Sequence, residues 1–230
     1  MANKVLITGE SGSGKTYALR TLDPKTSFII CPDEKNPPFK GWRNNYIMAN
    51  KEGVFHPGTC NYYKTTKWED IRSVMKFVSE KRPEIKTIAL DTITYAMIGE
   101  FMDKAETKGY DKFTQMGSNV YKTLKIIDGL RDDLTVLVLA HTDTESFNGV
   151  DKTTFSVPGG KLVKDVVKPV GMFVIALETL VEKKGDDVNY YFMTHNNTTN
   201  MAKSPEGMFE AKIPNDMNAV LKAIAKYEND

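Results

Sequence analysis

Several things are scarce or missing in this 230-residue chain, and each absence excludes something. There are two cysteines, Cys31 and Cys60, too few for a disulfide framework. Cys31 falls in an apolar run, where a buried thiol is expected. His56 and Cys60 lie close together, but two potential ligands do not make a zinc site. No stretch approaches 18 uninterrupted apolar residues, so no membrane span is expected. The N-terminus has no charged segment followed by a long apolar one, so it does not read as a signal peptide. A cytoplasmic, reducing location is the expectation. Excess charge of either sign is also missing. The formal net charge is +1, which gives no global pull toward nucleic acid or anionic membrane, so any such contact has to come from a local basic patch. Internal repeats and low-complexity tracts are absent. Arginines are few, and Arg131 is the last of them, so there is no arginine-rich lid of the kind a small-molecule kinase would carry.

What is present is an ordinary globular composition, 40% hydrophobic and 27% charged, at a length that suits one large domain over residues 1–230. Strand-like and helix-like stretches alternate, which predicts an α/β fold with a mostly parallel sheet and helices on its faces. Strands are expected at Val5–Thr8, Ser27–Cys31, Thr87–Asp91, Leu134–Ala140, Val170–Leu180 and Val188–Thr194. Leu134–Ala140 is apolar throughout, as a strand buried on both faces should be. Helices are expected over about 15–22, 66–81, 94–104, 120–131 and 215–227. The spacing Thr66-x-x-Glu69 predicts a capping box for the second of these. Residues 32–63, with Pro37, Pro38, Gly41, Pro57 and Gly58, read as loops or a small hairpin. Residues 106–118 and 142–160 read as polar, glycine-containing loops.

The strongest chemical signal is Gly9-Glu10-Ser11-Gly12-Ser13-Gly14-Lys15-Thr16, a P-loop at every fixed position, with an apolar strand before it and a helix starting at Lys15 after it; these residues and Tyr17 are expected to bind the nucleotide. Glycines let the backbone curl so that successive N–H groups converge on phosphates. The following helix adds its N-terminal dipole. Lys15 supplies a point charge to the β/γ-phosphates, and the Thr16 hydroxyl is placed for Mg²⁺. ATP and Mg²⁺ are thus the expected ligands. A metal-side carboxylate should end an apolar strand beside the P-loop strand, and Asp91 ends Thr87–Asp91. Hydrolysis also needs a group that orients the attacking water. Asp33 and Glu34 follow the second strand, which is expected next to the P-loop strand.

In this order the P-loop, strand-end Glu34, strand-end Asp91 and the strand ending at His141 resemble the RecA-type ATPase core. The likeness is greatest to small phage-encoded single-strand annealing and recombination ATPases. The resemblance covers nearly the whole chain. It implies a RecA-like sheet with an antiparallel late portion, ATP hydrolysis, and roles for particular residues. Glu34 matches the water-activating glutamate and Asp91 the Mg²⁺-side aspartate, with Thr92 at a position that commonly holds a small hydroxyl residue. His141 matches the strand-end sensor of the γ-phosphate, where recombinases usually have glutamine. Lys203, in Met201–Gly207, matches a late lysine that reaches a neighbouring subunit's nucleotide, which implies a homo-oligomer.

The same resemblance implies single-stranded DNA binding by two loops, about 99–118 and 142–168. These hold Lys104, Lys108, Lys112, Lys152, Lys161, Lys164 and Lys168, with aromatics Tyr110, Phe113, Phe147 and Phe155 for stacking. Acidic residues in both dilute the charge. Recombinases polymerise through an N-terminal segment. Only Met1–Lys4 precede the first strand, so a ring, a dimer or DNA-dependent assembly is the expectation here. Two alternatives stay open on the residues alone: a P-loop small-molecule kinase, and an ATP-gated interaction module without nucleic acid.

Overall fold

The computed structural model describes residues 2–56, 58, 60–158 and 163–229. Ten strands build one sheet. They are β1 (Asn3–Gly9), β2 (Ser27–Cys31), β3 (Met48–Ala49), β4 (Tyr62–Lys64), β5 (Thr87–Leu90), β6 (Thr135–Phe147), β7 (Val150–Phe155), β8 (Ile175–Lys184), β9 (Asp187–Met193) and β10 (Lys212–Pro214). The order across the sheet is β10-β9-β8-β1-β6-β5-β2-β4-β3, with β7 paired to the far end of β6. Neighbours from β8 to β3 run parallel. The pairs β8/β9, β9/β10 and β6/β7 run antiparallel.

Alternation along the central strands explains the apolar runs. Leu6, Phe28, Ile30, Ile88, Leu90, Val136 and Val138 face one core. That core is closed by α3 (Trp68–Lys81), α4 (Ile93–Asp103) and α5 (Asp111–Ile126). Val5, Ile7, Ile29, Ala89, Leu137, Leu139 and Leu177 face the other, covered by α1 (Lys15–Ala18) and α6 (Met217–Asn229). A strand sandwiched between two cores needs no polar face, and each fully buried Leu or Ile contributes about 2 kcal/mol.

Several expectations are corrected. The capping box is not formed: Lys67 is the N-cap of α3 without a side-chain bond, and Lys67 N donates to Thr65 Oγ1 at 3.1 Å instead. Within residues 32–63, α2 (Trp42–Asn45) precedes β3, and β3 and β4 pair in parallel rather than as a hairpin. Residues 111–118 are helical, because Met116, Val120 and Leu124 repeat at helical spacing and bury one face of α5. Gly117 lies on that buried face and does not break the helix. The expected loop at 142–160 is largely a hairpin: β6 continues to Phe147 and returns as β7 through Asn148 (φ 51°) and Gly149 (φ 78°). Two successive positive φ values match the right-handed twist of the flanking strands. The segment from 170 is strand only from Ile175, and Pro169–Met172 form a 3₁₀ turn.

The order of strands is a further correction. β2 is not adjacent to β1, and neither is β5. β6 lies between β1 and β5, and β2 lies beyond β5. His141, opposite Gly9, is therefore the residue next to the P-loop, and it lies within β6 rather than at a strand end.

Candidate functional site

β1 ends at the P-loop, β5 and β2 end on the same edge, and β6 passes beside it at His141, as parallel strands place their C-terminal ends on one edge. A cavity of about 530 Å³ opens there, bringing together Lys15, Thr16, Asp33, Asp91, Thr92 and His141 from four separate segments.

The loop is shaped by close approaches. Gly14 has φ 98°, and a Cβ there would sit 2.7 Å from the Tyr190 ring. Ser13 Oγ lies 2.6 Å from Thr179 Oγ1, and Asn215 Nδ2 donates to Gly14 O at 3.2 Å. Lys15 Nζ donates to Gly9 O and Glu10 O, each at 2.7 Å. Burial pulls the Lys15 ammonium down to about 8, and the Asp91 and Glu10 carboxylates oppose that shift. Ser11, Gly12 and Tyr17 complete this wall of the cavity. The Arg20 guanidinium lies 3.8 Å from the Tyr17 ring centroid, and Tyr17 and Tyr190 stand 5.5 Å apart.

Thr16 Oγ1 donates to Asp91 Oδ1 at 3.0 Å. Asp91 is 2% exposed. Burial first and the Asp33 charge second push its carboxyl up to about 7, against the Thr16 hydrogen bond, Lys15 and Lys35. Beside it the Thr92 hydroxyl is buried with no hydrogen-bond partner, although a buried polar group normally has one. One carboxylate, one hydroxyl and an orphaned second hydroxyl suit Mg²⁺, which takes few protein ligands and keeps waters and substrate phosphates. They do not suit a protein cage: among the described residues no group of three or more His, Cys, Asp or Glu side chains converges to hold a metal.

Glu34 is not placed as the resemblance implied. It is exposed, at a left-handed φ of 56°, and does not line the cavity. Asp33 does. Its Oδ1 accepts from Cys31 Sγ at 2.8 Å and from Lys35 N at 3.0 Å, which turns the carboxylate inward and the next side chain outward. The choice between the two acidic residues is thus a matter of loop geometry that spacing alone does not reveal.

His141 N donates to Thr94 Oγ1 at 2.9 Å, and its ring packs edge-on against Tyr95 at 5.7 Å. Burial, then Lys15 and Lys35, lower its imidazole to about 4, so it is neutral at pH 7. Lys203 lies outside the cavity of its own chain. Its backbone exchanges two 2.8 Å hydrogen bonds with Ala176, and Ala176 is level with Leu6 in the neighbouring β1.

The expected DNA-binding residues lie on several elements. Lys104 follows α4 and donates to Glu100 Oε1 at 2.6 Å. Lys108 lies between α4 and α5, and Lys112 is on α5 with its ammonium 5.3 Å from the Phe113 ring. Lys152 is on β7 opposite Glu145, and Lys164 is ion-paired to Glu145. Lys161, with Gly159 and Gly160, lies outside the described residues. Sequence reasoning missed Lys35, Tyr95, Tyr190 and Asn215 at the site. None carries a local signal, because strand pairing and packing deliver them.

A sheet with this strand order, carrying a P-loop after its central strand and an acidic residue after β5, defines a P-loop NTPase fold of the RecA-like kind. The chain belongs to the AAA domain family, whose model matches residues 1–205. Its fold is similar to that of a KaiC-like protein from the hyperthermophilic archaeon Pyrococcus horikoshii OT3, with a TM-score of 0.52 at 13% identity over 92% of this chain and 84% of that one. Weaker likenesses are to the flagellar accessory protein FlaH from Methanocaldococcus jannaschii (TM-score 0.43, 13% identity, 91% and 83% covered) and to the genome packaging NTPase B204 from Sulfolobus turreted icosahedral virus 2 (TM-score 0.43, 12% identity, 80% and 77% covered). No curated protein matches the sequence. No helix among the described residues is long and apolar enough to cross a membrane.

Proposed function

We propose that this protein is a Mg²⁺-dependent ATPase that binds single-stranded DNA and assists phage-type recombination or strand annealing, as a homo-oligomer in the cytoplasm of the host cell. The observation that carries the hydrolytic part is the hydrogen bond between Thr16 and Asp91, 75 residues apart, in a cavity that also holds Asp33 and His141.

The chemistry follows from the side chains. P-loop amides and the Lys15 ammonium bind and orient the phosphates. Thr16 and Asp91, with Thr92 at hand, hold Mg²⁺, which neutralises charge on the phosphates when bound. Asp33 orients a water and receives its proton as the water oxygen bonds to the γ-phosphorus and the bond to the β,γ-bridging oxygen breaks, releasing ADP and phosphate. His141, neutral and next to Gly9, reads the γ-phosphate by hydrogen bonding. Lys203 of a neighbouring copy adds positive charge to the site.

DNA binding is supported by Tyr110, 87% exposed, which stands 6.5 Å from Phe113 with Lys108 and Lys112 beside it in sequence. Aromatic faces flanked by lysines suit single strands of any sequence. The β6–β7 hairpin supports coupling, because it is continuous with the strand that carries His141. The test is phosphate release from Mg-ATP with and without single-stranded DNA, across a salt series. A salt-dependent rise in turnover is expected. No turnover at all sinks the hydrolytic reading. Turnover without any DNA binding sinks the recombination reading, and label transferred to a metabolite points to a kinase.

A further inference from the structure

Two lysines line the cavity, Lys15 and Lys35. The first is accounted for by the P-loop. The second has no role assigned by any motif, and its setting is unusual. Its backbone is held on every side. Lys35 N donates to Asp33 Oδ1 at 3.0 Å, and Lys35 O accepts from the Tyr62 hydroxyl at 2.8 Å. On its flanks, Glu34 O accepts from Lys64 Nζ at 2.5 Å, and Pro37 is buried. The side chain itself is 63% exposed. The segment thus fixes where the stem leaves the chain and leaves the ammonium free to reach.

That ammonium rests against the site. Nζ donates to Tyr95 Oη at 3.2 Å, stands 4.7 Å from the centre of the Tyr95 ring, and lies 3.9 Å from Asp33 Oδ2. The same ring meets His141 edge-on. The charge of Lys35 is felt at Lys15, Asp91 and His141. The Tyr95 hydrogen bond holds Lys35 above the ordinary lysine range, whereas burial draws Lys15 down. Lys35 is therefore the more securely charged of the two at neutral pH.

We propose that Lys35 is a catalytic cation supplied in cis, moving from its rest on Tyr95 to the γ-phosphoryl oxygens and stabilising the charge they carry in the transition state. This rests on the ATPase reading above. Lys35 donates hydrogen bonds only. It transfers no proton, since the water's proton goes to Asp33. Phosphoryl transfer depends on such preorganised positive charge more than on covalent chemistry. The consequence is that part of the charge stabilisation comes from the same subunit as the P-loop, alongside the Lys203 proposed to act from a neighbouring copy.

The test compares steady-state ATP turnover by the wild-type chain, Lys35→Met, Lys35→Gln and Lys35→Arg, with folding checked by thermal melts and nucleotide binding by a fluorescent ATP analogue. Lys35→Met keeps an unbranched stem over Tyr95, so a purely packing role survives in it. The expected result is a fall in kcat of about a hundredfold or more in the Met and Gln variants, with binding near wild type and substantial recovery in the Arg variant. A mixture of Lys35→Met with Lys15→Ala decides the geometry: a cation acting in cis leaves the mixture as inactive as its parts. Wild-type-like kcat in Lys35→Met, or recovery of turnover on mixing, overturns the proposal while leaving the ATPase reading intact. A wild-type chain that releases no phosphate overturns both.

Discussion

The Thr16 hydroxyl and the Asp91 carboxylate, delivered by the P-loop helix and by a strand two places away in the sheet, are joined by a 3.0 Å hydrogen bond. This bond aligns the two groups on which Mg²⁺ binding is proposed to depend. Replacing Asp91 by Asn keeps the hydrogen-bonding shape and removes the charge. Turnover at fixed Mg²⁺ is expected to fall about a hundredfold, and a Mg²⁺ titration of phosphate release should shift to higher metal. An unchanged titration would remove Asp91 from the metal site.

Asp33 and Glu34 make a direct comparison. Asp33→Asn should cut kcat by about a hundredfold to a thousandfold with little change in nucleotide affinity. Glu34→Gln, at an exposed position that does not line the cavity, should alter kcat by no more than about twofold to threefold. The reverse pattern in steady-state kinetics would restore Glu34 as the water-orienting group.

Gly9 tests the packing under the loop. A Cβ at Gly9 would lie 1.8 Å from Thr179 Oγ1, so Gly9→Ala should destabilise the fold by about 1–3 kcal/mol. Thr179→Ala in the same chain should recover part of that loss, a coupling that urea melts of the four variants would measure as a double-mutant cycle.

His141 should not titrate near neutrality. Its folded-state value of about 4 lies below the ordinary 6.5, so between those values the unfolded chain holds more protons than the folded one. The stability contribution is fully present above about pH 6.5 and is lost as pH falls toward 4. NMR titration should show the His141 ring neutral down to about pH 5. Wild type should also lose stability relative to His141→Gln between pH 7 and pH 5.

Lys203→Ala leaves the backbone bridge to Ala176 in place and removes the cation proposed to act across a subunit interface. Turnover is expected to collapse while ATP binding stays, and wild-type activity per subunit should rise with protein concentration. Full turnover in the variant removes Lys203 from the site.

Much of the fold was legible in the chain because burial on both faces writes itself into composition. Ser27–Cys31 forms a strand with the bounds expected, and the expected strand Leu134–Ala140 overlaps the buried run Val136–Ala140 of β6. The buried face of α3 likewise follows from the spacing of Ile71, Val74, Met75 and Val78. The turn Asn148-Gly149 was also present to be read, since Asn-Gly between strand-forming residues favours a hairpin. The polarity of both arms concealed it, because strands that project into solvent carry no apolar alternation.

The amino-acid sequence by itself determined the phosphate-binding loop, since its glycines, Lys15 and Thr16 act through local backbone geometry and neighbouring N–H groups. It also placed Asp91 at a strand end. Tertiary structure alone decided which strand stands beside the P-loop, and so put His141 rather than Asp91 opposite Gly9. It alone set Asp33 rather than Glu34 in the cavity lining, brought Lys35 and Tyr190 there, and placed Tyr95 against Lys35 and His141. The physical reason is the same each time: strand order and loop direction come from long-range pairing and packing, and a linear pattern of residue types carries no record of which distant segments will meet.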